Sequence, residues 1–362
     1  MVEQHSKDYK LTAVKYYLDN LSYRKTCDIF KCSKSSLNRW VDKYNKTNNL
    51  EREQSKKKII FNEEQKKFIK QHIKEHPNVT LKQLAKEMFE KANEILGFRI
   101  TDIMFSGTEE ELKQTRNTQP AIFLHSIVAA KLLNGISASR TAGHSVGEYA
   151  AVVFSGALSF EDGLKLVRLR GELMQQAGEQ NKGTMAAVVG LDGKVLEQVC
   201  ADASDVGIVQ CANFNSPGQI VISGSVDAVK KAMMLAKERG AKLVKELVVS
   251  GAFHSPLMQP AKDGLKNALA NTKFSDATIP VYANVTAKPT TSGNEIRTSL
   301  EQQITSPVRW EESVNAMLTD GASDFLEIGP GKVLQGLVKR INGNVIIDSV
   351  DKTEDIARVN AE

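Results

Sequence analysis

A chain of 362 residues has room for two or three domains and a sizeable core, and 41% hydrophobic with 25% charged residues is ordinary for a soluble globular protein. No apolar run approaches the roughly 18 residues of a membrane span, and the N-terminus lacks the apolar core of a signal peptide, so no membrane contact is expected and a cytoplasmic location is. The net charge of +5 is unevenly spread: residues 1–90 hold 20 Lys/Arg against 12 Asp/Glu, and the remainder hold 28 against 31. Glycine splits the same way, since all 24 glycines fall at or after Gly97. Two domains with different partners are expected, with the seam near Met88: residues 1–88, residues 89–350, and a tail over 351–362. Cys27, Cys32, Cys200 and Cys211 form no CxxC or CxxH, so a reducing setting is expected, with no disulfide framework, metal site or cofactor.

The first segment reads as short helices. Leu11, Val14 and Leu18 sit at helical spacing, Ser22 can cap a second helix to Phe30, and Ser33 can cap a third. In the third, Leu37, Trp40, Val41 and Tyr44 make the apolar stripe, leaving Lys34, Ser35, Asn38 and Arg39 largely off it. Helix, short turn, helix with a basic outer face is the pattern of an all-α helix-turn-helix module, and those four residues are the candidate DNA contacts. The same composition also suits a solvated bundle whose lysines only keep it soluble. A charged linker over 51–58, a capping-box helix from Asn62 to the stop at His76-Pro77, and a helix capped by Thr80 follow. Residues 8–88 resemble the paired helix-turn-helix region of mariner-like transposases, through Tyr23-Arg-Lys-Thr-Cys-Asp-Ile-Phe-Lys-Cys-Ser-Lys-Ser-Ser-Leu-Asn-Arg-Trp40 and Thr80-Leu-Lys-Gln-Leu-Ala85, without the carboxylate catalytic domain of that family.

Beyond Met88 short apolar strands alternate with helices, which predicts an α/β fold. The order strand, helix, strand, strand, helix, strand across Ala186–Leu191, Leu196–Ala203, Ile208–Ala212, Ile220–Gly224, Asp227–Arg239 and Lys242–Val248 predicts a small ferredoxin-like subdomain, about 184–249, inserted in a larger unit. That unit resumes from His254 with strands at Ile279–Asn284, Asp324–Ile328 and Val345–Asp348.

Gly143-His-Ser-Val-Gly147 is a Gly-x-Ser-x-Gly elbow between an expected strand and the apolar helix from Tyr149. So tight a turn predicts that both flanking glycines must be side-chain-free, and it holds Ser145 up at a helix N-terminus as the candidate nucleophile. A serine nucleophile needs a base. Of six histidines, His5, His72 and His76 lie in the helical module, His125 on an apolar helix, and His144 beside the serine on the turn. His254, placed by Gly251 and Pro256 in a loop after a strand, is the candidate base.

These residues together resemble the malonyl-CoA:acyl-carrier-protein transacylases of type II fatty acid synthesis, over roughly residues 88–350. The motifs are Asn117-Thr-Gln-Pro-Ala-Ile, Gly143-His-Ser-Val-Gly-Glu-Tyr-Ala-Ala, Val167-Arg-Leu-Arg-Gly-Glu-Leu-Met, Asn213-Phe-Asn-Ser-Pro-Gly-Gln219, Gly251-Ala-Phe-His-Ser-Pro-Leu-Met and Glu327-Ile-Gly-Pro-Gly-Lys332. The resemblance implies an α/β-hydrolase-like acyltransferase core, with malonyl-CoA and acyl carrier protein as partners. It implies that Ser145 carries the malonyl group, that His254 is oriented by the backbone carbonyl of Gln303, and that Val146 N–H serves the oxyanion. It further implies that Arg170 binds the malonyl carboxylate and that Phe253 leaves little room for a methyl branch. Asn213-Phe-Asn-Ser-Pro-Gly-Gln219 reads as a turn placing backbone near the site, which makes Asn213 a candidate substrate-binding residue, or as a plain structural turn. One departure stands out: the family's opening strand ends in Gly-Gln-Gly-x-Gln and supplies a second oxyanion N–H, and no such sequence occurs here. Impaired turnover is therefore expected. The rival readings are a DNA-binding protein with a vestigial transferase, and a carboxylesterase, for which Arg170 has no use.

Overall fold

The computed structural model describes residues 7–20, 22–47, 81–134 and 136–361. They divide between two compact units, Met1–Lys57 and Lys58–Glu362. The expected linker at 51–58, the helix from Asn62, its stop at His76-Pro77 and the Thr80 cap lie outside the described residues.

In the first unit, α1 (Lys7–Asn20), α2 (Tyr23–Ile29) and α3 (Lys34–Thr47) enclose Ala13, Val14, Leu37 and Val41. Trp40 and Tyr44 pack against that cluster, so the i, i+3, i+4, i+7 stripe of α3 is its buried face. Both expected caps form: Ser22 Oγ accepts from Lys25 N–H at 3.4 Å, and Ser33 Oγ from Ser36 N–H at 3.1 Å. Between α2 and α3 the chain turns at Lys31, whose φ is +42°.

The second unit opens with α4 (Leu81–Leu96), α5 (Ile100–Ser106), α6 (Glu109–Lys113) and α7 (Thr115–Leu132). The helix α4 runs unbroken through Met88 and lays Leu84, Ala85, Met88 and Phe89 on the large core, so residues on both sides of the expected seam belong to one helix face. Next come β1 (Thr141–Ala142), α8 (Gly147–Phe154) and α9 (Phe160–Gln180). Then β2 (Gly183–Val189), α10 (Gly193–Ala203), β3 (Val209–Ser216), β4 (Gln219–Ser225), α11 (Val226–Glu238) and β5 (Leu243–Leu247) form the small subdomain. The chain closes with α12 (Gln259–Asn271), β6 (Val281–Tyr282), β7 (Pro289–Thr290), α13 (Gly293–Gln303), β8 (Val308–Arg309), α14 (Trp310–Thr319), β9 (Asp324–Ile328), α15 (Val333–Ile341), β10 (Ile346–Val350) and α16 (Thr353–Ala361). Ile356 of α16 is buried in the large core, so this end of the chain is a packed helix where the sequence suggests a tail.

Sheet order β5-β2-β4-β3 with antiparallel neighbours is the ferredoxin-like arrangement, and β8 extends it parallel to β3. The strand β3 carries two register shifts, between Cys211 and Asn213 and between Phe214 and Ser216. In the larger part, β1 pairs with β6 and β9 with β10, both parallel. Among the described residues no ladder hydrogen bond joins the two pairs. Yet both lie between the same apolar layers: Ala142, Phe325 and Ile347 pack with Val314 and Leu337, while Val281, Leu326 and Ile328 pack with Phe123 and Leu164. The central layer is thus interrupted, and β9 is at most half-buried along its length. The strand expected over Ile279–Asn284 shortens to Val281–Tyr282, because Asn284 turns inward to the elbow. Among the described residues no helix is long and apolar enough to cross a membrane.

The helices α7 and α9 meet closely where α9 has Gly171, since a Cβ there would stand 2.8 Å from the Thr115 carbonyl oxygen. By contrast Gly336, inside α15, has open space around it. The two glycines predict opposite outcomes. Gly171→Ala should destabilise by about 1–3 kcal/mol through overpacking, and Gly336→Ala should stabilise by about 0.5–1 kcal/mol through helix propensity. Denaturant melts of the two variants check this; shifts of the same sign would refute the packing account.

Candidate active site

The elbow is built from β1 into α8. Gly143 is obligatory, because a Cβ on it would lie 2.0 Å from the Gly147 backbone. Gly147, expected to be equally constrained, has open space and is not. Ser145 is held at φ +51°, a left-handed conformation costing on the order of 1–3 kcal/mol for a side-chain-bearing residue. Asn284 holds it there: its Oδ1 accepts from Ser145 N–H at 2.7 Å and its Nδ2 donates to Gly143 O at 2.7 Å.

His254 comes from the loop after β5, also at a positive φ of +56°. Ser255 Oγ donates to Ala252 O at 2.7 Å, and the histidine's own carbonyl accepts from Gln210 Nε2 at 2.8 Å. Its Nδ1 stands 2.9 Å from Gln303 O and its Nε2 2.8 Å from Ser145 Oγ. A carbonyl only accepts, so Nδ1 carries the hydrogen and Nε2 is left free to take a proton from the serine. Burial, reinforced by the Arg170 cation, pushes His254 down to about 3, so the ring is neutral at neutral pH.

Arg170, on α9, is fully buried, which excludes its being an ordinary surface arginine at a helix end. Its Nη1 donates to Gln119 Oε1 at 2.6 Å, and its Nη2 donates to Gln303 Oε1 at 2.9 Å and to Ser145 Oγ at 3.1 Å. The guanidinium carbon sits 5.7 Å from the centroid of the Tyr149 ring. Among the described residues Arg170 makes no ion pair, and its Nε has no hydrogen-bond partner. Burial lowers it from its ordinary value, though an arginine remains a cation.

Val146, at the N-terminus of α8, has an N–H that donates to no acceptor among the described residues. Phe253 packs with Met185, Ala212 and Val221 on one side and with the large core on the other. Asn213 lies within β3, and no hydrogen bond among the described residues joins it to Ser145, His254 or Arg170. Its neighbour Asn215 is the one that reaches the elbow, with Oδ1 2.9 Å from His144 Nε2. His144 therefore points away from the serine, as its place on the turn predicts. In the first unit Lys34 and Arg39 are exposed on α3, Asn38 is half-buried, and the Ser35 side chain lies outside the described residues.

Sequence reasoning missed Gln119, Asn284, Glu148 and the side chain of Gln303. Glu148 and Gln119 stood inside the quoted motifs without a role; Asn284 had no signal beyond its place after an apolar strand. Glu148 is 1% exposed, and its Oε2 accepts from Gln303 Nε2 at 2.6 Å and from Asn284 N–H at 3.3 Å. Burial pushes its carboxyl up to about 7, against the pull of those two bonds and of Arg170.

Residues 80–352 match the family described as Acyl transferase domain, and residues 10–54 match a helix-turn-helix domain. The malonyl CoA-acyl carrier protein transacylase of Bacillus subtilis is 46% identical over 275 residues, covering 75% of this chain and 87% of that protein. Its counterpart in Haemophilus influenzae is 43% identical over 279 residues, covering 76% and 88%. Among solved structures, an acyl carrier protein S-malonyltransferase from Vibrio cholerae superposes with a TM-score of 0.74 at 41% identity, covering 76% of this chain and 91% of that one. A malonyl-transacylase in complex with its type II PKS acyl-carrier protein gives 0.74 at 38% identity, covering 77% and 91%. With an elbow serine against a neutral histidine and a buried arginine, and with relatives this similar over nearly their whole length, the chain belongs to the acyl transferase family of the malonyl CoA-acyl carrier protein transacylases.

Proposed function

We propose that the second unit moves a malonyl group from malonyl-CoA to the phosphopantetheine thiol of acyl carrier protein, through an ester on Ser145. The observation that carries this is the convergence on one atom: Ser145 Oγ lies 2.8 Å from a neutral imidazole nitrogen and 3.1 Å from a buried guanidinium. Ser145 Oγ attacks the thioester carbonyl as His254 Nε2 takes its proton. The negative charge that forms on the carbonyl oxygen faces Val146 N–H at the start of α8. Collapse expels the CoA thiolate, which takes the proton from His254, leaving malonyl-Ser145. The carrier thiol then gives its proton to His254 and attacks the ester, and the proton returns to Ser145 Oγ as that bond breaks. Arg170, with an unpaired Nε and no ion pair of its own, suits a planar carboxylate, which favours an acyl group ending in an anion over a simple ester.

Turnover in this reading is limited by the single oxyanion donor. Among the described residues no strand precedes β1, and the β1–β6 and β9–β10 pairs stay unjoined. A family strand ending in Gly-Gln-Gly-x-Gln would supply both the missing ladder and a second N–H. The first unit carries a separate reading, DNA binding, which rests on the helix-turn-helix match and on exposed Lys34 and Arg39 beside the buried stripe of α3.

Three outcomes test these readings. Intact-mass spectrometry after mixing with malonyl-CoA should show one malonyl adduct, absent in Ser145→Ala; an adduct persisting in that variant overturns the nucleophile. Steady-state transfer should run at least about a hundred-fold below an intact relative, the cost of one oxyanion donor, and grafting the Gly-Gln-Gly-x-Gln strand ahead of the domain should recover it; parity without the graft sinks the oxyanion argument. Gel shifts of the full chain on duplex DNA should weaken steeply with salt and on Lys34→Glu or Arg39→Glu, whereas no shift at low ionic strength leaves the first unit a solvated bundle.

A further inference from the structure

Glu148 is a carboxyl with almost no solvent and, among the described residues, no ion pair. Its two hydrogen-bond donors are the residues on which the rest of the site hangs. Asn284, whose N–H it receives at 3.3 Å, clamps the elbow at Gly143 and Ser145. Gln303, whose Nε2 it receives at 2.6 Å, also donates to Ser145 O at 2.9 Å, accepts from Arg170 and orients His254. One amide thus stands between the two buried charges: Nε2 donates to Glu148 while Oε1 accepts from Arg170 Nη2. Among the described residues the other groups facing Glu148 are uncharged. Arg170, from α9, is the cation acting on it among the described residues. His254, from the loop after β5, is held neutral by burial, as is His144 on the elbow. Tyr149, beside it on α8, is pushed above its ordinary value.

We propose that Glu148 is a positioning residue and the resting counter-charge of Arg170, and that a substrate carboxylate entering on Arg170 takes over that role, so that Glu148 picks up a proton from solvent as the acyl group loads. This rests on the reading that Arg170 receives the acyl carboxylate. Two anions sharing one buried guanidinium repel, and burial disfavours the charged form of whichever can shed it. The substrate's carboxylate cannot leave without breaking its bond to Arg170; the protein's can be neutralised where it stands. Since Glu148 is already held up at about 7, the change falls within the working range of pH. The sign follows. At low pH Glu148 is protonated and Arg170 is fully available to an anion, and as pH rises through the raised value loading of an anionic acyl group weakens.

The test is the rate of ester formation on Ser145 from malonyl-CoA relative to acetyl-CoA, followed by intact mass in the full chain from pH 5.5 to 9. The ratio cancels the ionisation of coenzyme A and of His254, which both thioesters share. In the unaltered protein it should fall about tenfold with rising pH and level off, as expected for a coupling of about one unit between two charges. In Glu148→Gln, which keeps an acceptor oxygen for Gln303 and Asn284, the ratio should be flat and high. Should that variant fail to fold, proton uptake by the unaltered protein in weak buffer at pH 7 gives the same information: a fraction of a proton per malonyl ester beyond that seen with acetyl-CoA. A pH-independent ratio, or equal proton uptake with both thioesters, overturns the proposal. Arg170→Ala separates the two levels. If it leaves the malonyl preference intact, the carboxylate does not sit on Arg170 and both readings fall. If it abolishes the preference while the unaltered ratio is flat, only the role of Glu148 falls, and absence of any adduct sinks both.

Discussion

The site depends on Gln303 more than on any reacting group. It lies at the end of α13, where backbone carbonyls lack partners within the helix, and this leaves its own oxygen for His254 Nδ1. Its side-chain oxygen accepts from Arg170, and its side-chain nitrogen donates to Ser145 O and Glu148. Bonds to charged groups are worth more than neutral ones, and a buried group left without its partner costs on the order of 1–3 kcal/mol. Every atom of this residue that can make a hydrogen bond toward the site does so, and each partner belongs to a different segment: α9, the elbow, α8 and the His254 loop. An amide suits this role because it presents two donor hydrogens and an acceptor oxygen side by side without adding a charge.

Both candidate reacting residues sit in left-handed backbone, Ser145 at φ +51° and His254 at φ +56°. Strain of that kind persists only where surroundings over-determine it. For Ser145 the surroundings are the Asn284 clamp and the start of α8; for His254 they are Gln210, Ser255 and the Gln303 carbonyl. The interrupted parallel layer leaves this arrangement standing because none of these holding groups lies on β9 or β10. The geometry of the candidate site hangs on the β1–β6 half of the central layer and not on the β9–β10 half.

What the sequence made legible follows physical rules of short range. The elbow could be read because Gly143 stands where no Cβ fits, and the small subdomain because its strands and helices alternate with clean periods. Elimination among six histidines pointed to His254, whose Nε2 stands 2.8 Å from Ser145 Oγ. What stayed hidden is long range. Asn284 acts across 139 residues on Ser145, and the side chain of Gln303 acts across 155 on Glu148. Nothing in the local pattern of an amide says which distant backbone it will hold. The expected seam at Met88 and tail after 350 followed changes of composition, whereas packing follows helix faces, and both α4 and α16 bury apolar residues against the large core. Asn213 drew the eye as part of a turn motif, but the strand continues through it and Asn215 does the reaching.

The irregularity of β3 bears on how the two parts of the domain communicate. In a regular strand, residues five apart face opposite sides of the sheet. Gln210, which grips the His254 carbonyl, and Asn215, which grips the His144 ring, are five apart and yet both reach the candidate site. One register shift lies between them, with Ala212 left unpaired, so that their spacing counts as four, and Asn215 is itself the unpaired residue of the second. The small sheet therefore holds the candidate site at two points, the His254 carbonyl and the His144 ring. One strand thus reaches both the elbow and the His254 loop, and the bulge at Ala212 is what turns Gln210 and Asn215 to the same side.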